Sequence, residues 1–320
     1  MAKIKPANLK IFKRQHYSVV GNHSAVEVCS WTKKSLLNKG VCYKEKFYGI
    51  KSHRCIQMTP AVAWCDFACL YCWRSHEYSQ GTSMKGNIDD PKTIIDGAIE
   101  AQRKQLSGFK GNEKTNLKKW QEAQNPFSFA ISLNGEPTLY KKLPEFIREL
   151  RARKIISFLV SNGSHPQMLK KLYNSDSLPD QIYISLTAIN EKMHKNINCP
   201  LVKNSWKRIL QTLKLIPNLK EKCRTIIRLT LIKDKNDSND AAEKFAQLIK
   251  LANPNFIEIK SYMFLGYSRK RLKKENQCTH EQVRQFSKTL AGLCGLKVLD
   301  EAENSKVCLI GMKKCARFDK

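Results

Sequence analysis

No stretch of these 320 residues is long and apolar enough to cross a bilayer, and no basic amphipathic helix stands out that would lie on one. The N-terminus, Met1 to Lys10, is basic but has no apolar core behind it, so no secretory signal is expected. Internal repeats and low-complexity segments are missing as well, which sets aside solenoids and disordered arrays. Acidic residues are scarce: 28 Asp and Glu stand against 57 Lys and Arg, a formal net charge of +29. That excess goes beyond what solubility needs and points to a polyanionic partner, nucleic acid before an anionic membrane. A lysine-rich source proteome would give a similar excess, and charge alone does not separate these readings.

Cysteine, by contrast, is plentiful, at 12 residues. With no signal peptide expected, a reducing cytoplasm and thiolates used as metal ligands fit better than disulfides. Six of them fall between Cys29 and Cys72 and look organised for chemistry. The other six (Cys199, Cys223, Cys278, Cys294, Cys308 and Cys315) have no ligand spacing and read as small buried hydrophobes.

Cys65, Cys69 and Cys72 form a C-x3-C-x2-C run with Tyr71 before its last member. Three thiolates this close hold three irons of a cubane cluster and leave the fourth open, whereas an electron-transfer cluster has four cysteines. A structural zinc site would need a fourth Cys or His. The run resembles the radical S-adenosylmethionine (SAM) signature, in which SAM chelates the open iron and is split to a 5′-deoxyadenosyl radical. That resemblance puts Tyr71 near the adenine.

Downstream, apolar strands alternate with helices. Strands are predicted at Phe127–Leu133, Ile155–Val160, Gln181–Leu186, Thr225–Ile232 and Phe256–Lys260, with a possible one at Leu296–Leu299. Helices are predicted from Asp90 on, at Leu143–Arg153, near Gln167–Tyr173, near Ser205–Ile216, near Asp240–Leu251 and at Glu281–Leu293, while Gly108 to Asn125 is polar and starts as a loop. Adding a strand just before the cysteine loop, about six βα units fit, too few for a closed eightfold barrel. The expected fold is α/β, an open, partial (β/α)6 radical SAM barrel with an N-terminal cysteine-rich extension. Residues 1–58 would form the extension and residues 59–320 the barrel with C-terminal RNA-binding elements.

Ligands of such sheets sit at the carboxyl ends of the strands. Asn134-Gly135-Glu136-Pro137-Thr138-Leu139 follows a strand and resembles the radical SAM glycine–glutamate motif. There Gly135 lets the backbone approach closely and Glu136 accepts from the SAM ammonium. By the same resemblance Asn162 serves the sugar or carboxylate of SAM, and Ser185, ahead of Thr187, Arg228, Thr230 and Asn236, serves the ribose. Capping roles are the competing explanation for all of these.

Cys29, Cys42 and Cys55 repeat the count of three, in no known small zinc-finger spacing. The segments Val41 to His53 and Cys55 to Cys65, Cys72-Trp73-Arg74, the Asn134 to Leu139 run and Tyr262 to Arg269 are similar to the archaeal form of the tRNA 4-demethylwyosine synthase family. The similarity runs from about Cys29 to Arg271; eukaryotic relatives carry an additional flavodoxin-like domain, which this chain is too short to include.

The resemblance implies two 4Fe–4S clusters, the second on Cys29, Cys42 and Cys55. It implies condensation of a pyruvate-derived two-carbon unit with N1-methylguanosine-37 of phenylalanine tRNA, in the wybutosine pathway. Lys44 matches the family's catalytic lysine, which forms a Schiff base with the keto group, and Lys46 stays open as an alternative. A cytoplasmic monomer served by an external electron donor is expected, with no membrane partner.

Arg269, Lys270, Arg271, Lys273 and Lys274 would track phosphates, with Tyr262, Phe264 and Tyr267 stacking on a base and Lys10, Lys13, Arg14, Lys33, Lys34 and Lys110 adding to the field. Two other readings compete. A radical SAM RNA methylthiotransferase would carry a separate C-terminal β-domain, and a non-catalytic metal-binding RNA module would leave the Asn134 to Leu139 run without a purpose.

Overall fold

The computed structural model describes residues 2–314 together with 317 and 318. The chain enters through α1 (Pro6–Arg14), short strands β1 (Ser18–Val20) and β2 (Ser24–Glu27), and short helices α2 (Ser30–Leu36) and α3 (Tyr43–Tyr48). Strand and helix then alternate through β3 (Cys55–Thr59), α4 (Pro91–Leu106), α5 (Leu117–Ala123), β4 (Ser128–Ile131), α6 (Leu143–Ala152), β5 (Ile156–Ser161), α7 (Pro166–Asn174) and β6 (Gln181–Ser185). Next come α8 (Glu191–Asn198), α9 (Ser205–Lys220), β7 (Arg224–Leu231), α10 (Asn239–Ala252) and β8 (Phe256–Ser261). The chain closes with α11 (His280–Cys294), β9 (Lys297–Ala302) and β10 (Val307–Gly311).

Local chemistry sets the helix starts. The Asp90 side chain accepts the Lys92 N–H at 2.9 Å, with Pro91 at the first helical position of α4. Thr279 and Gln282 form a reciprocal capping box at α11, which ends on Gly295 in the left-handed region (φ 68°).

Among the described residues the strands form one sheet in the order β1-β2-β3-β4-β5-β6-β7-β8-β10-β9. β3 to β8 are parallel, as six βα units require. The antiparallel edges β1–β2 and β10–β9 flank them, and the two end strands do not pair, so the barrel stays open. Residue 58, the expected end of the N-terminal extension, lies within β3. No described helix is long and apolar enough to cross a membrane.

Side-chain alternation sorts the core into two faces. Leu159, Ile182, Ile184, Ile227, Leu229, Ile257 and Ile259 turn outward onto the helices, where they meet residues such as Ile94, Phe146, Leu213 and Phe245. Phe158, Tyr183, Ile226 and Phe256 turn inward and are covered by Tyr43, Phe47 and Tyr48 of α3. Burying each such Leu, Ile or Phe contributes about 1.5–3 kcal/mol. The short helix α3 is therefore a plug on the inner face of the sheet.

Several elements differ from the expected ones. The polar stretch after Gly108 contains α5, started by the Asn116 side chain accepting the Lys119 N–H at 3.0 Å. β1, β2, α8 and β10 are additional, and every residue of β10 is buried. Of the scattered cysteines, Cys223, Cys278 and Cys308 are buried, but Cys199 and Cys294 are only half-buried. Cys199 holds a left-handed turn (φ 43°), and its carbonyl accepts the Ala68 N–H at 3.1 Å, so it packs beside the Cys65 to Cys72 loop. Cys315 lies outside the described residues.

Candidate active site

The turn after β3 carries Cys65, Cys69 and Cys72, all half-buried. Backbone bonds shape it: Cys65 N–H to the Gly81 carbonyl (3.1 Å), Leu70 N–H to Ile197 (2.9 Å) and Cys72 N–H to Cys69 (3.1 Å). Burial pushes all three thiols up, and for Cys65 and Cys69 the neighbouring cysteines add to the rise, so the group sits together. Loading a metal there must release protons.

The segment after β4 is stitched to the same turn. The Asn134 side chain donates to the Val62 carbonyl (2.9 Å) and the Glu136 N–H to Trp64 (2.8 Å). Gly135 has φ +70°, and a Cβ there would overlap the Ala61 and Trp64 carbonyl oxygens, so only glycine allows the approach.

Glu136 is 2% exposed. One carboxylate oxygen accepts from the Thr138 N–H (3.1 Å), the Thr138 hydroxyl (2.6 Å) and the Ser161 hydroxyl (2.9 Å). The other accepts only the Asn162 N–H (2.8 Å) and keeps room for one further donor. Burial raises the pKa of Glu136 against those hydrogen bonds.

Asn162 uses its carbonyl oxygen for the Ser164 N–H (2.9 Å), while its buried Nδ2 has no partner. Ser185 is half-buried at the end of β6, with no polar side-chain partner among the described residues. Tyr71 packs beside Ile197, Ile232, Tyr262 and Leu272. Thr187 and Asn236 brace the frame instead: the Thr187 hydroxyl donates to Asn198 (2.7 Å), and Asn236 bridges the Thr187 and Thr230 carbonyls at 3.0 Å each.

Asp66, which carried no signal in the sequence, is fully buried and accepts from the Ser164 hydroxyl and the His165 ring. Burial works to lower the His165 pKa, but Asp66 overrides it and the net direction is up. The second Asp66 oxygen is buried without a partner. Two orphaned polar atoms and a carboxylate with a free acceptor site thus ring the cysteine turn, which fits a polar, cationic ligand such as SAM.

The second triad comes together from three separate elements. Cys29 precedes α2, Cys42 precedes α3 and Cys55 opens β3. Glu45 accepts from the Ser52 N–H (2.8 Å) and hydroxyl (2.5 Å), and the Ser52 oxygen accepts the Cys42 N–H (2.9 Å). This clip holds α3 against the approach to β3 and sets Cys42 beside Cys55. Burial raises Cys42 to about 12, with Cys29 raising it further and Lys44 opposing.

Among the described residues, only His280, Glu301 and Cys308 have three candidate ligand atoms within 4.8 Å of one another. The Glu301 carboxylate there is already held by Arg284 at 2.8 and 2.9 Å.

Lys44 is 8% exposed, and its ammonium faces the rings of Tyr183 (4.7 Å) and Phe158 (5.1 Å) on the inner sheet face. Burial lowers its pKa, and Arg228 lowers it further. Lys46 differs: its side chain is half exposed and pairs with Asp300 at 2.8 Å. Deeper in, Arg228 pairs with fully buried Glu258 (2.8 Å), which also accepts from the Tyr48 (2.6 Å) and Tyr43 (3.2 Å) hydroxyls. Lys260 lies over the Tyr43 ring (5.3 Å) with no hydrogen bond or ion pair among the described residues, and burial followed by Arg228 lowers its pKa. The sequence contained its signal: Glu258 and Lys260 alternate with Ile257 and Ile259, a charged inner face on an apolar strand.

Two expected RNA contacts do not hold. Tyr262 is 1% exposed, inside a core cluster. Arg271 turns inward to the Cys72 carbonyl and to Glu77 (2.9 Å), because the cysteine turn needs its carbonyl satisfied.

An open half-barrel with a three-cysteine turn after its first parallel strand defines a radical SAM enzyme, and residues 60–248 match the Radical SAM superfamily model. Residues 251–311 match the Wyosine base formation model. The chain is 45% identical to the S-adenosyl-L-methionine-dependent tRNA 4-demethylwyosine synthase of Pyrococcus horikoshii, over 94% of this chain and 87% of that one. A TYW1 structure with a lysine-pyruvate adduct bound superimposes with TM-score 0.86 at 37% identity, over 97% of this chain and 98% of that one. A crystal structure of archaeal TYW1 gives TM-score 0.77 at 34% identity, over 96% of each. The chain belongs to the tRNA 4-demethylwyosine synthase family. It is a tRNA-modifying enzyme of wyosine formation, and its superfamily uses SAM and a 4Fe–4S cluster.

Proposed function

We propose that this enzyme uses two 4Fe–4S clusters to join a pyruvate-derived two-carbon unit to N1-methylguanosine-37 of phenylalanine tRNA, yielding 4-demethylwyosine. The observation that carries the reading is Lys44, a buried amine without an acidic partner, beside a cysteine triad, in a chain closely similar to one solved with a lysine-pyruvate adduct.

Cys65, Cys69 and Cys72 hold the cluster that takes SAM, and Cys29, Cys42 and Cys55 hold the second, in the N-terminal extension of residues 1–58. When bound, these groups supply a hydrogen-abstracting radical and a chelating iron for the keto acid. Residues 59–320 supply the barrel and the RNA-binding elements. Gly135 brings its backbone close to SAM; Glu136 takes the ammonium; Asn162 and Ser185 take sugar and carboxylate oxygens; Tyr71 borders the adenine.

Lys44 is held toward its neutral form by burial and attacks the keto carbon, losing water as the imine forms. Lys260, whose charge burial also disfavours, gains the pyruvate carboxylate as its counter-ion. The methyl carbon of the nucleoside, after losing a hydrogen atom, bonds to the former keto carbon. The carboxyl group then leaves as CO2, giving up one electron in place of the one spent on cleaving SAM. The exocyclic amine of the guanine displaces Lys44 from the imine as the ring closes. The enzyme works as a cytoplasmic monomer fed by an external electron donor.

Anaerobic reconstitution, then mass analysis of products from SAM, reductant, pyruvate and tRNA bearing N1-methylguanosine, tests this. About eight irons per chain, two cubanes, and a borohydride-trapped pyruvate on Lys44 are the expected results. Iron near four per chain with SAM cleavage but no new ring would overturn the second cluster.

A further inference from the structure

Trp73 follows Cys72 directly and is 44% exposed, an unusual placement for an indole beside a reaction centre. The chemistry above makes no use of it. One ring face is covered by the Arg74 guanidinium, 3.5 Å from the centroid. That guanidinium is fixed from behind, donating to the Tyr17 hydroxyl (2.5 Å) and pairing with Glu27 (2.7 Å). The Trp73 backbone is clamped too: its carbonyl accepts the Tyr267 N–H at 3.0 Å. A Cβ on Gly266 (φ +52°) would overlap that carbonyl, so the clamp requires glycine.

The result is a flat apolar plane whose position is set before anything binds. Leu265, 42% exposed, lies in the same loop as the clamp, followed by exposed Arg269, Lys270, Lys273 and Lys274. A field of cations attracts phosphates without ordering bases, whereas an aromatic plane orders bases by stacking. Unpaired RNA is held by both together.

We propose that Trp73 is the stacking platform for an unpaired nucleobase of the anticodon loop, next to the guanosine that is modified, with Arg74 as its rigid backing. This rests on the tRNA reading above and names the residue that meets the base. The occupant is a nucleobase because the plane is single and lies beside a run of cations, where a protein partner would need a broader apolar patch.

The test titrates reconstituted enzyme into tRNA carrying 2-aminopurine at each nucleotide flanking the target guanosine. Iron content and visible cluster absorption of every variant are read first. Wild type quenches the probe at one flanking position. Trp73→Ala loses the quench and weakens binding about ten- to a hundredfold, and Trp73→Phe keeps most of both. The salt slope of Trp73→Ala stays at the wild-type value, whereas Lys274→Ala lowers it by about 0.7.

Wild-type affinity and quench in Trp73→Ala overturn the proposal. Should that variant load less iron, the wild-type arm still decides, because absence of quench at both flanking positions also overturns it. A wild-type enzyme that binds no tRNA overturns the tRNA reading itself. Unchanged tRNA binding with slower electron delivery to Trp73→Ala would make the plane a docking point for the donor protein instead, which also overturns it.

Discussion

The two cysteine triads count the same ligands but sit in opposite electrostatic surroundings. Around Cys65, Cys69 and Cys72 the guanidiniums Arg74 and Arg271 are paired with Glu27 and Glu77, Asp66 holds His165, and buried Glu136 has no ion-pair partner among the described residues. Around Cys42 and Cys55 lie buried Lys44 and half-buried Lys260, neither in an ion pair among the described residues, and half-buried Arg228, whose charge is taken by buried Glu258. SAM carries a sulfonium and an ammonium, and pyruvate is an anion. The group left without an ion-pair partner is thus a carboxyl in one chamber and amines in the other, each suited to the ligand proposed for it, which discourages exchange of the two between irons of the same kind.

The sharpest break in that comparison is Lys44→Met. It fills the same buried volume without an amine, so trapped pyruvate and ring formation fall to the detection limit by intact-protein and nucleoside mass, while SAM cleavage persists. Cys42→Ala comes next: iron falls from about eight to about four per chain, and the low-temperature spectrum of the SAM-binding cluster remains.

Lys260→Met removes the amine that has no ion-pair partner among the described residues. Loss of one charge-assisted bond, about 1.5–3 kcal/mol, raises the pyruvate KM roughly ten- to a hundredfold in steady-state assays, with the KM for SAM unchanged. Gly135→Ala acts on the other chamber. Its positive φ and two backbone overlaps destabilise the fold by about 1–3 kcal/mol, read by chemical denaturation, and SAM binding weakens with it.

The smallest effect separates the two buried glutamates by sign. Burial works to raise Glu258, but Arg228 overrides it and its pKa is lowered in the fold. Its contribution is present above the unfolded glutamate value and is lost as pH falls through the lowered one. Glu136 is raised, so its charge opposes folding at neutral pH, and that opposition fades as pH falls through the raised value. Glu258→Gln therefore flattens the acid-side loss of stability and Glu136→Gln steepens it, measured by denaturant midpoints from pH 6 down to acid.

How much of this was legible follows from whether a feature is local. The Cys65 to Cys72 turn is written in eight consecutive residues, and the inner parallel strands are long apolar runs, so both were readable. Cys29, Cys42 and Cys55 meet only because the Glu45–Ser52 clip folds α3 back toward β3, and spacing alone carries no trace of it; resemblance supplied them. β10 is a five-residue apolar run whose partner, β8, lies some fifty residues earlier, so it read as a tail. Tyr262 looked like a stacking residue from its neighbours in sequence, yet it faces Ile232 and Leu272, while Trp73 reaches solvent. Which aromatic is buried depends on what the loop packs against, and composition does not encode that.

The inner plug also orders events during synthesis. Residues 43–48 leave the ribosome early, but Tyr43 and Tyr48 bond to Glu258, 215 and 210 positions later, and their cluster includes Val307 and Leu309. The chamber around Lys44 is thus not closed until nearly the whole chain is made. Iron reaching Cys42 earlier meets an open, exposed thiol, and the last strand to emerge is the one that seals it in.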